Sequence, residues 1–185
     1  MPGWNLQEIA GCCLINKGVN GEQSFEKLSR FDHDVIAVNP RAFIIWGYIN
    51  DIFRSERENL KVKMDAARDH LRKMVFTARV HRIHPILATE ITICGPSGFR
   101  ETAAAFAGRL IGKESYQDYV NEHVRALNLW IRQLSNEHEI NLLDFESELS
   151  DDDGVRKREY AEADGSHISP RGYDQLTNYI RKQIK

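Results

Sequence analysis

Cysteine is scarce in this chain, with three residues in 185, two of them adjacent at Cys12 and Cys13. A disulfide framework of the secreted kind is thereby excluded, and a reducing, cytoplasmic compartment is expected unless residues upstream of Met1 carry a signal. Long apolar runs are missing as well. None approaches the roughly 20 residues needed to cross a bilayer, and Met1-Pro2-Gly3-Trp4 does not read as a basic region followed by an apolar one. The sequence therefore shows no membrane span and no signal peptide. Charge of one sign is also absent: the net charge is -2 at pH 7 and the Lys and Arg residues are scattered. This argues against a nucleic-acid partner, which needs a concentrated basic surface. Hydroxyl nucleophiles are late, since the first serine is Ser24 and the first threonine Thr77.

What is present describes one soluble globular domain over residues 1–185, with 42% hydrophobic and 28% charged residues and enough length to bury a substantial core. Apolar strands alternate with amphipathic helices. A strand is expected near residues 12 to 16. Phe25, Leu28, Phe31 and Val35 then recur at helical spacing until Asn39-Pro40, ahead of the apolar run Ala42-Phe43-Ile44-Ile45-Trp46. Leu60, Met64, Ala67, Leu71, Met74 and Val75 mark a long helix, and Pro85 to Ile91 a third strand. A loop with Gly95, Pro96 and Gly98 leads through an alanine-rich stretch to a helix carrying Tyr116, Tyr119, Val120, Val124, Leu127, Trp130, Ile131 and Leu134. Ile140 to Phe145 is the fourth strand. Ser169 as N-cap and Pro170 at the first helical position open a last helix with Tyr173, Leu176, Ile180 and Ile184 on one face. Alternation of this kind implies a mostly parallel sheet covered on both faces, with ligands gathered at the carboxyl ends of its strands. No repeat, linker or low-complexity tract interrupts it.

The most informative segment is Asp164-Gly165-Ser166-His167, immediately before the last helix start. A carboxylate three residues ahead of a histidine on a short turn can hold one ring nitrogen and leave the other free as a general base. The alternative is that Asp164 caps a turn and His167 is a surface residue. Other candidates carry less. His81 and His84 stand three apart without a carboxylate or cysteine at zinc spacing and read as a surface helix end. Asp32-His33-Asp34 reads as a solvated face, Arg54 to Lys63 as an exposed helix start, and Asp151-Asp152-Asp153-Gly154 as a solvated loop or a weak cation site.

Two upstream segments extend the histidine turn. Asn16-Lys17-Gly18-Val19-Asn20-Gly21-Glu22 and Gly47-Tyr48-Ile49-Asn50-Asp51, followed by Asp164-x-x-His167, resemble in order the conserved blocks of the SGNH (GDSL-type) hydrolase family. The resemblance covers nearly the whole chain. It implies a three-layer α/β/α, flavodoxin-like architecture with a mostly parallel sheet, and a serine acyl-transfer mechanism without metal or cofactor. It further implies His167 as base, Asp164 as its orienter, and the Gly21 N–H and Asn50 amide as oxyanion donors. Each position also has a plainer role, since Asn-Asp is common in turns and Gly18 and Gly21 serve as backbone-permissive residues. Because each segment follows an expected strand, all three are independently expected on one edge of the sheet.

The family's Gly-Asp-Ser block, which carries the nucleophile, does not occur upstream of Gly21. Cys12 and Cys13 sit in an apolar stretch and read as buried small residues, Ser24 as a helix-start residue, and Ser97, without Gly-x-Ser-x-Gly spacing, as a turn. The absent block is a central strand in the family. With each large aliphatic side chain worth roughly 1.5 to 3 kcal/mol on burial, its loss rivals the roughly 5 to 15 kcal/mol by which whole domains are stable. Three accounts follow: the chain starts at an internal methionine of a longer protein, another chain completes the sheet, or residues 4 to 16 are rebuilt. The first is preferred because Trp4 stands where family members place an aromatic after the nucleophile loop. The expected activity is hydrolysis of a lipid, acetylated-sugar or small acyl ester by a serine outside the chain. The alternative is a catalytically inactive binding module. The expected partner is a small-molecule ester, and a homo-oligomer is allowed.

Overall fold

The computed structural model describes residues 14–95 and 115–183. The chain divides into two compact units, Lys17–Glu90 with His123–Leu143, and Met1–Asn16 with Ile91–Glu122 and Asp144–Lys185. Cys12, Cys13 and Ser97, and the alanine-rich stretch, lie outside the described residues. The described part of the expected first strand, Leu14 to Asn16, has no regular structure.

The first of these units holds a three-stranded parallel sheet in the order β1 (Ala42–Ile45), β2 (His84–Ala88), β3 (Asn141–Leu143). Ala42 lies opposite His84 and Ile45 opposite Leu87, while Ile86 lies opposite Asn141 and Ala88 opposite Leu143. Parallel neighbours need long crossovers, and helices supply them. Helices α1 (Ser24–Ser29) and α2 (Ile49–Phe53) flank β1, and α3 (Leu60–Val80) links β1 to β2. Its buried residues Leu60, Met64, Ala67, Leu71, Met74 and Ala78 recur every three or four positions, with Val75 beside Met74, which makes one apolar stripe. Helix α4 (Tyr116–Glu137) links β2 to β3 and buries Val120, Val124, Leu127, Ile131 and Leu134.

The other unit packs α5 (Phe145–Leu149) on α6 (Pro170–Gln183). Phe145 meets Tyr179 edge to face at 6.2 Å, Tyr179 Oη accepts the Asp144 amide at 3.0 Å, and Leu149, Leu176 and Ile180 are buried. Ser169 caps α6 by accepting the Gly172 N–H at 3.2 Å. The acidic run closes on itself, Asp151 Oδ1 accepting the amides of Asp153 and Val155 at 3.1 and 2.9 Å.

Strands expected to reach Ile91 and Phe145 stop at Ala88 and Leu143. Past β2 a side chain replaces the neighbouring strand: Asn128 on α4 accepts the Glu90 N–H at 2.8 Å and returns its own amide N–H to Glu90 O at 2.8 Å. The same Oδ1 accepts Tyr48 Oη–H, and Tyr48 is 1% exposed. Past β3, Asp144 turns the chain into α5 by accepting the Ser147 N–H. In the other unit Asn121 treats Ile93 likewise, accepting its N–H at 2.7 Å and donating to its carbonyl at 2.9 Å.

Asn128→Leu keeps the volume and removes a fully buried two-way partner of the main chain. It should lower stability by on the order of 3 kcal/mol, whereas Leu129→Ala, at an exposed position, should stay within about 0.5 kcal/mol. Urea denaturation of the two variants checks this.

Candidate active site

The Asp164 to His167 turn is built by one carboxylate. Asp164 Oδ1 accepts the backbone N–H groups of Ser166 and His167 at 2.8 and 3.0 Å, and Oδ2 stands 2.5 Å from His167 Nδ1. Gly165 makes this possible. Its φ of +76° is in the left-handed region that favours glycine, and a Cβ there would stand 2.4 Å from the Cys94 carbonyl oxygen. The Gly165 carbonyl in turn accepts the Cys94 N–H at 2.9 Å, and His167 O accepts the Glu162 N–H at 2.9 Å. The Asp164 carboxyl is held well below the usual carboxylate range, first by the His167 backbone N–H and then by the His167 ring. It therefore stays ionised while facing Nδ1. The His167 side chain is 70% exposed, so with Nδ1 engaged the chemically available nitrogen is Nε2.

Gly21 and Asn50 lie in the other unit. Gly21 is also left-handed, and Arg54 Nη2 stands 2.6 Å from the place of its missing Cβ. Asn50, on α2, donates Nδ2 to Glu22 O at 3.3 Å, and Lys27 Nζ donates to the same carbonyl at 3.0 Å. An amide nitrogen carries two N–H groups, so one such bond does not exhaust Asn50. Burial pushes the Lys27 amine below its ordinary value, against the pull of Glu22, Asp51 and Glu90. Next to Asn50, Asp51 anchors α1. Its carboxylate accepts the Ser24 N–H at 2.9 Å and the Ser24 hydroxyl at 2.7 Å.

Ser24 also stands 2.9 Å from His70 Nδ1, a serine–histidine contact the sequence did not suggest. It is not an activated nucleophile. The hydroxyl proton goes to Asp51, so the ring must donate at Nδ1, and a donating histidine is no base for that serine; Ser24 is 0% exposed besides. Ser166 Oγ lies 3.4 Å from His167 Nδ1, the nitrogen Asp164 already holds. His81 caps the end of α3 and His84 opens β2, both exposed. Asp32 and His33 are exposed, but Asp34 is not the solvated residue expected: with its side chain 13% exposed it pairs with Lys17 at 3.2 Å and with Arg30.

Solved structures share this arrangement of elements. A protein of the G-D-S-L family from Desulfitobacterium hafniense DCB-2 matches with TM-score 0.73 and 23% identity over 96% of this chain and 84% of that one. The acetylxylan esterase Axe2 from Geobacillus stearothermophilus matches with TM-score 0.73 and 21% identity over 97% and 76%. A GDSL-like lipase from Bacteroides thetaiotaomicron VPI-5482 matches with TM-score 0.69 and 19% identity over 92% and 74%. The fold is thus the helix-rich α/β class with a small parallel sheet found in SGNH hydrolases. The family model of the GDSL-like lipase/acylhydrolases matches residues 2–175, and the chain belongs to that family. No curated protein matches it.

Asp164 has a depressed carboxyl in the folded chain, so its contribution to stability is complete above the unfolded value of ~3.9 and fades as the pH falls through the folded value. Asp164→Asn keeps an oxygen for the two backbone amides but loses the charge. For an exposed pair worth at most ~1 kcal/mol, its Tm should lie about 2–4 °C below wild type at pH 7, the gap closing toward pH 2. Calorimetry at both pH values measures it.

Proposed function

We propose that this chain carries the base and oxyanion donors of a serine hydrolase acting on a carboxylic ester of a lipid, an acetylated sugar or a small acyl compound. His167 Nε2 takes the proton of a serine hydroxyl as the serine attacks the ester carbonyl, and later returns that proton to the leaving alcohol. Asp164 fixes the ring and balances the imidazolium. The Gly21 N–H and the Asn50 amide stabilise the tetrahedral oxyanion, a contribution of roughly 3 to 4 kcal/mol per donor in such sites.

The observation that carries this reading is the 2.5 Å approach of Asp164 Oδ2 to His167 Nδ1 on an exposed turn. A purely structural cap needs only the two backbone amides. Family membership supports the reaction class, and the acetylxylan esterase and GDSL-like lipase among the similar structures support an ester substrate. The reading requires a serine from outside residues 1–185, because no Gly-Asp-Ser occurs in them.

The test joins an N-terminal strand ending in Gly-Asp-Ser to the chain and measures hydrolysis of p-nitrophenyl acetate. The extended chain should turn over, residues 1–185 alone should show little, and His167→Ala in the extended chain should lose at least about 10³-fold. His84→Ala should change little. A folded but inactive extended chain, or equal rates with and without His167, contradicts the proposal.

A further inference from the structure

Arg156 lies in the charged stretch after the acidic loop, yet it is 2% exposed. Its backbone N–H donates to Thr92 Oγ1 at 2.9 Å and its carbonyl accepts from Cys94 Sγ at 2.9 Å. The guanidinium points at the histidine turn. Nε donates to Thr92 O at 2.7 Å, Nη1 to His167 O at 3.0 Å, and Nη2 to Gly165 O and Ser166 O at 3.1 and 2.9 Å. Three consecutive carbonyls of the turn thus converge on one cation.

The peptide geometry gives this convergence its meaning. The Gly165 carbonyl and the Ser166 N–H belong to one planar peptide, and the Ser166 carbonyl and the His167 N–H to the next. Those two N–H groups are the ones that hold Asp164 Oδ1. Each peptide plane is therefore gripped at both ends, by the guanidinium at its oxygen and by the carboxylate at its hydrogen. A trans peptide points its C=O and N–H in opposite directions, so fixing the oxygens also aims the hydrogens. Arg158 braces the same turn from the surface, donating to Ala163 O at 3.1 Å and Gly95 O at 3.2 Å. It grips neither of the two planes.

We propose that Arg156 is a positioning residue: it sets the two peptide planes that hold Asp164 and, through Asp164, the orientation of the His167 ring. Its importance for turnover rests on the reading of His167 as base. The grip itself does not, and can be measured without any substrate. A lysine cannot replace it, because three N–H groups on one nitrogen do not span Thr92 O and the turn carbonyls together.

The experiment follows the Asp164 carboxyl by 13C NMR titration in wild type, Arg156→Lys, Arg156→Met and Leu149→Ala. In wild type it should titrate below the ordinary carboxylate range. In Arg156→Met it should move up into that range, with Arg156→Lys between. Leu149→Ala removes a fully buried side chain from the same unit; it should melt earlier and leave Asp164 where wild type has it. An unmoved Asp164 in a folded Arg156 variant overturns the proposal, as does an equal shift in Leu149→Ala. Should Arg156→Met not fold, Arg156→Lys decides. In the unaltered chain, hydrogen exchange at the Ser166 and His167 amides should be slower than at Asp152 on the exposed acidic loop, and equal rates also overturn it. A hydrolase whose Asp164 ignores Arg156 removes this proposal alone. A shifted Asp164 in a chain that fails the esterase test leaves the grip standing and removes its catalytic meaning.

Discussion

A backbone carbonyl taken out of water must find a donor, and an unmade bond of that kind costs about 1–3 kcal/mol. Regular structure meets this need along the strands and helices. Where the chain leaves them, polar side chains take over, and those places include the segments that hold the candidate site. Glu90 is matched by Asn128, Ile93 by Asn121, Glu22 O by Lys27 and Asn50, and the carbonyls of Gly165, Ser166 and His167 by Arg156. Each of these bonds spans a gap in sequence. Each ties an irregular segment to another part of the chain.

Rigidity of this kind suits chemistry performed by loop residues. A general base is effective when its ring is held in one orientation and one tautomer before the substrate arrives. Asp164 supplies that restraint locally, and the Asp164 carboxylate is itself restrained by amides whose carbonyls Arg156 holds. In the other unit the Asn50-Asp51 pair does two tasks. Asn50 bonds the residue after Gly21, and Asp51 seats the first turn of α1 through Ser24. The segments around Gly21 and Asn50 are thus joined by hydrogen bonds.

Much of the fold is legible in the sequence because periodicity records burial. The stripe Leu60, Met64, Ala67, Leu71 and Met74 and the runs at Phe43 to Ile45 and Ile86 to Ala88 identify the crossover helix and the parallel strands. The histidine turn is legible for a different reason: its hydrogen bonds are local, so a spacing of three residues carries them. What the sequence conceals is long-range pairing between side chain and main chain. Asn121 and Asn128 look like residues of a polar helix face, and Arg156 stands among Lys157, Arg158 and the acidic loop with nothing to mark it as buried. The end of β2 is concealed for the same cause, since Asn128 takes the place of a strand neighbour at Glu90. Ser24 looks like a helix-start residue and is one, but its contacts with Asp51 and His70 join positions far apart in the chain.

To act as a base, His167 must hold its proton at Nδ1, toward Asp164, and present a bare Nε2. Nitrogen-15 NMR of the histidine rings, at a pH where His167 is neutral, reads this directly in the chain as it stands. A protonated Nδ1 and an unprotonated Nε2 are expected for His167, with that preference lost in Asp164→Asn. A neutral His167 carrying its proton on Nε2 would contradict it, because that ring could not accept a proton from a serine.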